Sequence, residues 1–182
     1  MYQIVQSPNE ILRTATKPVT FFDEKLQKII EEMRVTLLVQ KHPEGVGLAA
    51  NQVDLPYCLF LARFTTSRKE PIRVFINPEI IEHSADFQIE TKKSPLEGCL
   101  SLPKYYGLVK RYEWIKLKYQ SIENFKFQIE NFSGFPAVVI QHEMDHLNGK
   151  IFVEKIIEQK GKMYKITGKD SEGKEEWEEV EL

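Results

Sequence analysis

The chain has 182 residues, 42% of them hydrophobic and 29% charged, with a formal net charge of -2. That balance suits one globular domain with a real core, and it speaks against a nucleic-acid partner, which usually calls for a basic surplus. The opening Met1-Tyr2-Gln3-Ile4-Val5 lacks the basic and apolar regions of a secretory signal, and no apolar run is long enough to cross a bilayer, so a cytoplasmic protein with no membrane contact is expected.

Asp23 to Gln40 is predicted to be the first helix. Leu26, Ile29, Ile30, Met33 and Leu37 recur at three- and four-residue spacing, Asp23 is a suitable N-cap, and His42-Pro43-Glu44-Gly45 stops the helix. Next comes Gly45-Val46-Gly47-Leu48-Ala49-Ala50-Asn51-Gln52. Its glycines permit close backbone approach to a ligand, and Gln52 offers an amide donor. A tight turn leading into a strand would explain the same residues. It is not a phosphate loop, because no Lys-Ser/Thr pair follows the glycines.

The middle of the chain favours strands: Tyr57 to Ala62, Val74 to Ile76, then Ile115, Leu117 and Tyr119 alternating with polar residues, and Phe125, Phe127 and Ile129 doing the same. The last two are expected to form an antiparallel pair. Cys58, inside the first run, reads as a small buried hydrophobe, and His42 and His83 as exposed loop residues. Two cysteines are too few for a disulfide framework. The final helix is expected to open near Ser133, tolerate Pro136 in its first turn and end near Asn148-Gly149. Met163–Thr167 and Glu176–Val180 flank a polar stretch and predict a C-terminal hairpin within a mildly acidic tail, 7 acidic residues to 4 basic from Gly161 to Leu182. Lysines and glutamates would guard its edge from pairing. No repeat divides the chain, so residues 1–182 are read as one domain.

The final helix carries Gln141-His142-Glu143-Met144-Asp145-His146. Histidines four apart on a helix lie one turn above each other and can bind one metal ion, while the neighbouring glutamate reaches a water on that metal. A surface helix could show the same spacing by chance. Here, however, Val138, Val139, Ile140, Met144 and Leu147 make nearly every other face apolar, and a metal would satisfy imidazoles buried among them. The third ligand decides the class. A metzincin would have histidine where Phe152 stands, and Glu154 and Glu158 are too near to serve as in a thermolysin-like protease. Cys99, in Glu97-Gly98-Cys99-Leu100-Ser101, remains: a soft thiolate with two imidazoles would leave a fourth position for water. Arg111 is a candidate buried partner for Asp145, bracing the helix from behind the ligands; the alternative is a solvent-exposed arginine.

Taken in order, Gly45 to Gln52, Glu97 to Ser101 and Gln141 to His146 resemble the three motifs of the peptide deformylases, a likeness running from Ser7-Pro8-Asn9-Glu10-Ile11-Leu12-Arg13 to Phe152. The resemblance implies an α+β fold, with small antiparallel β-sheets around a central, metal-binding C-terminal helix. It implies a hydrolase that removes the formyl group from the N-terminal formyl-methionine of nascent polypeptides. It also implies one divalent metal ion, Fe2+ in the cell, for which Zn2+, Ni2+ or Co2+ can substitute. Carried across, Cys99, His142 and His146 would be ligands and Glu143 the general acid/base. Gln52 and the N–H of Leu100 would stabilise the oxyanion. Gly45, Val46, Gly47 and Leu48 would bind substrate, with Gly47 pairing with its backbone as an added strand, and Val46, Leu48, Val138 and Val139 near the methionine pocket. The chain departs from the family at Tyr106, with Lys104 close by, where many bacterial members carry a basic side chain near the substrate. Its acidic tail also replaces the longer basic helix that docks some members on the ribosome, so any transient ribosome association would use another route. The competing readings are an HExxH zinc peptidase and a metal-bearing module that binds without hydrolysis.

Overall fold

The computed structural model describes residues 1–65, 71–88 and 96–181. Helix α1 spans Glu24–Leu38, and the Asp23 carboxylate caps it by accepting from the Leu26 N–H at 3.0 Å. A short strand β1 (Gly47–Ala49) follows, then a turn of 3-10 helix (Ala50–Val53), β2 (Leu59–Ala62) and a long β3 (Arg73–His83). Strands β4 (Glu97–Cys99) and β5 (Leu102–Gly107) precede β6 (Trp114–Gln120) and β7 (Phe127–Ser133). Helix α2 (Phe135–Leu147), helix α3 (Phe152–Glu158), β8 (Met163–Lys169) and β9 (Glu175–Val180) complete the described chain.

The strands form two antiparallel sheets, one in the order β1-β2-β3-β6-β7 and the other β4-β5-β8-β9. The first is covered on both faces, which explains the unbroken apolar run of β2. Leu59 and Leu61 join Val74 and Ile76 against the Leu26, Ile30, Met33 and Leu37 stripe of α1. Phe60 and Ala62 point the other way, with Phe75, Ile115, Leu117 and Phe132, against Ala137, Val139 and Ile140 of α2. Each such large side chain removed from water is worth about 1.5–3 kcal/mol. The second sheet has its own small core, in which Phe152 and Ile156 of α3 pack with Met163 and Cys99.

Helix α2 is therefore buried nearly all round, as its sequence suggests. Pro136 sits in its first turn and Asn148 at its C-cap. Gly149 follows at φ +70°, where a side chain would also meet the Arg13 carbonyl at 2.6 Å. Only glycine suits that exit.

Several elements differ from the sequence expectations. Strand β3 runs well past Ile76 because two register shifts let it continue through Pro78 beside β6. Strand β7 begins at Phe127, since Phe125 takes a left-handed turn conformation at φ +57°. His83 is exposed, but it ends β3 and stacks on Tyr112 with ring centroids 3.7 Å apart. Cys58 is only half-buried. The predicted C-terminal hairpin is β8–β9, and it does more than trail in solvent: β8 pairs with β5 through Tyr105↔Lys165, Tyr106↔Tyr164 and Gly107↔Met163. Leu182 lies outside the described residues.

Candidate metal centre and active site

Cys99 closes β4, and His142 and His146 lie one turn apart on α2. Their ligand atoms all fall within 4.8 Å of one another, and all three residues are buried. The Cys99 sulfur is 3.2 Å from His146 Nε2, and the two imidazoles meet edge-on with centroids 5.0 Å apart. Burial alone would raise the Cys99 thiol, but His146 and His142 beside it outweigh that and bring it down to about 5, so it is a thiolate at neutral pH. One thiolate and two imidazoles, converging at a buried place, suit a borderline-soft divalent cation.

A chain of ion pairs stands behind the first histidine. Glu97 Oε2 lies 2.9 Å from His142 Nδ1. Arg111 grips Glu97 with two bonds of 2.8 Å and reaches Asp145 Oδ2 at 2.5 Å. Arg111 is 5% exposed, so the buried pairing with Asp145 stands and the solvent-facing alternative does not. Burial works to raise the Glu97 carboxyl, but Arg111 and His142 hold it at about 2. Fixed as an acceptor at Nδ1, Glu97 directs the other ring nitrogen toward the cluster. Sequence reasoning quoted Glu97 without giving it this role. Its place behind His142 depends on how β4 lies against α2, with a register shift between Gly98 and Cys99, which spacing in the sequence does not display.

Glu143 is buried beside these ligands. One of its oxygens, Oε2, has no hydrogen-bond partner among the described residues. Burial raises its carboxyl to about 7, with the charges of His142 and His146 working against the rise. A side chain at Gly47 would lie 2.0 Å from its other oxygen, so the missing Cβ is what admits the carboxylate. The Gln52 amide is clamped: Oε1 accepts from the Ala49 N–H at 2.9 Å, while Nε2 donates to Ser101 Oγ at 3.1 Å and lies 3.4 Å from the Cys99 sulfur.

A cavity of about 110 Å³ opens over this cluster, bordered by Val46, Gly47, Gln52, Cys99, Leu100, Val139, His142 and Glu143. The other expected residues stand apart from it. Leu48 is fully buried against α1, and Val138 is half-buried away from the cavity wall. Gly45 is set back, its carbonyl accepting from Arg63 Nε at 2.7 Å. Tyr106 does not border the cavity; its ring covers Gly98 and meets Trp177 edge-on at 5.0 Å.

The family model described as polypeptide deformylase matches residues 1–162. The chain belongs to that family. It is 41% identical over 172 residues to the peptide deformylase of Chromobacterium violaceum, covering 94% of this chain and 96% of that one. The Helicobacter pylori peptide deformylase is 37% identical over 160 residues, covering 86% of each chain. Among solved structures, the peptide deformylase of Thermotoga maritima superposes with a TM-score of 0.75 at 37% identity, covering 85% of this chain and 97% of its own. The Met-Ala-Ser-bound enzyme of Acinetobacter baumannii superposes with a TM-score of 0.75 at 32% identity, covering 86% and 98%. The deformylase fold is thus present, and with it a metal-dependent enzyme family whose Cys/His/His group is assembled here.

Proposed function

We propose that residues 1–182 act as one domain that removes the formyl group from N-formyl-methionyl nascent polypeptides in the cytoplasm. The observation that carries this is the buried trio of Cys99, His142 and His146 beside a carboxylate with a free oxygen, at the floor of an open cavity. A divalent cation held by the trio, Fe2+ in the cell with Zn2+, Ni2+ or Co2+ able to replace it, would act as a Lewis acid and acidify water. The rest falls to the protein. Glu143, whose Oε2 is unpartnered among the described residues, takes the proton of the attacking water and returns it to the leaving amine. The Gln52 amide and the Leu100 N–H meet the negative charge that develops on the formyl oxygen.

The substrate has a place to lie. Arg63 N donates to the Val46 carbonyl at 2.9 Å, so Val46 faces β2. By the alternation of an antiparallel ladder, the N–H and C=O of Gly47 then face the other way, along the open edge of β1. Strand β4 is likewise the outermost strand of its sheet. An extended peptide entering between these edges would pair with Gly47 and set its first side chain toward Val46 and Val139. Contact with the ribosome is proposed only as transient; after α3 the described chain forms β8 and β9. No specific nucleic-acid partner is proposed, and among the described residues no helix is long and apolar enough to cross a membrane.

The test is Glu143→Gln, which keeps the shape and loses the base. Metal content should be unchanged, and deformylation of a formyl-methionyl peptide should slow by roughly 10²–10⁴-fold. Near-normal turnover by the metal-loaded variant would overturn the assignment.

A further inference from the structure

One wall of the cavity is the segment just ahead of β1. Pro43, Glu44, Val46 and Gly47 all border the opening. Up to Gly47 this wall is a turn, closed by the isolated bridge Lys41↔Glu44 and by a long bond of 3.4 Å from the Gly45 N–H to the Gln40 carbonyl. Arg63, the residue after β2, is only 3% exposed although its guanidinium is always charged. Its backbone N–H donates to the Val46 carbonyl at 2.9 Å, its Nε to the Gly45 carbonyl at 2.7 Å and its Nη2 to Glu44 Oε1 at 3.0 Å. One residue therefore grips three successive residues of the wall. As a source of stability the arrangement is poor. The Glu44 side chain is 44% exposed, and an ion pair open to water adds little. Burying a guanidinium also costs desolvation that an apolar side chain of similar size would not. What the arginine supplies is direction: the carbonyls of Gly45 and Val46 are drawn toward β2, and the Glu44 carboxylate is held at the rim.

We propose that Arg63 is a positioning residue for the substrate, holding Glu44, Gly45 and Val46 in the shape against which an extended formyl-methionyl peptide docks. This inference rests on the deformylation reading above. Gly47, next to Glu143, is tied to β2 by its own pairing with Ala62, and Cys99, His142 and His146 lie on other elements. Loss of the Arg63 side chain should therefore weaken peptide binding and spare the chemistry. The plainer role is a tie that only keeps the turn folded. The two roles part in the kinetics. Unfolded molecules lower the concentration of working enzyme, and with it the apparent kcat, but leave KM where it was. A misplaced wall raises KM.

The experiment measures deformylation of formyl-methionyl-alanyl-serine by metal-loaded Arg63→Met and Arg63→Lys, with metal content and folded fraction determined alongside. The main-chain bond to Val46 survives either change, so the comparison reads the grip on Gly45 and Glu44. Arg63→Met has no donor on its side chain; its KM should rise about 10-fold, with kcat per bound metal within about threefold of the unaltered chain. Arg63→Lys keeps the charge and a donor, but one ammonium cannot serve both partners as the planar fork does. Its KM should rise about threefold, and it decides the matter alone if Arg63→Met does not fold. An unchanged KM in the folded variants would overturn the proposal, as would a fall in kcat with KM unmoved. Failure of the unaltered chain to deformylate the peptide would overturn the proposed function, and this inference with it.

Discussion

A methyl group at position 47 would lie within 2.0 Å of Glu143 Oε1, so the carboxylate would have to move, toward the cavity it borders. Gly47→Ala should therefore push the carboxylate off its position while leaving Cys99, His142 and His146 untouched. A displacement of about 1 Å at a reacting group can cost 10²-fold in rate. Deformylation should fall on that order, in kcat more than in KM, with the metal content measured by elemental analysis unchanged. Equal activity in the alanine variant would show that Glu143 has room the packing does not reveal. The glycine was singled out from sequence for its freedom to approach a substrate. Its nearest neighbour turns out to be a side chain of the protein itself.

Helix α2 is held at its outer side by the Arg111 bridge between Glu97 and Asp145, and that brace is pH-dependent. The Glu97 carboxyl sits near 2 in the folded chain against an ordinary 4.5. Because the folded value is the lower one, the stabilisation is complete above about 4.5 and is lost as pH falls toward 2. Its size is on the order of 3 kcal/mol. In metal-stripped protein, Glu97→Gln should lower the urea midpoint near neutral pH, and the gap to the unaltered chain should narrow as pH drops from about 5 toward 2. A constant gap across that range would mean that Glu97 is not ionised in its pairing. Much at this scale was readable beforehand. Helix α1, the β6–β7 pair, the β8–β9 hairpin and α2 each show their periodicity over several residues, and the His/Glu motif lies on the helix expected for it. What escaped was short or interrupted. Helix α3 has too few residues to display a period, β5 contains Pro103 and ends in Gly107, and β3 loses its alternation at two register shifts. At the site, the trio could be named from residue types and spacing. The partner behind His142, Glu97, depends on which strand folds against α2, and single-chain spacing carries little of that.

The molecule as a whole is two sheets, the first with a large core on each face and the second with a small one, and the candidate metal ligands come from both halves. Cys99 belongs to the four-stranded sheet, while His142 and His146 ride on the helix packed against the five-stranded one. An ion bound to all three would be a cross-link between the halves, closing a long loop of chain much as a disulfide would and raising the free energy of opening them. Chelation should then act unevenly. Amide hydrogen exchange should quicken in β4, β5, β8 and β9, whose core is small, and change little in β2, β3 and β6, which α1 and α2 enclose. Exchange that rises evenly through both sheets would show that they open together with or without the ion. In the expected case, the cation that serves hydrolysis is also the fastener on one seam of the fold, and a chain deprived of it would loosen first along β4, the strand that carries its own ligand Cys99.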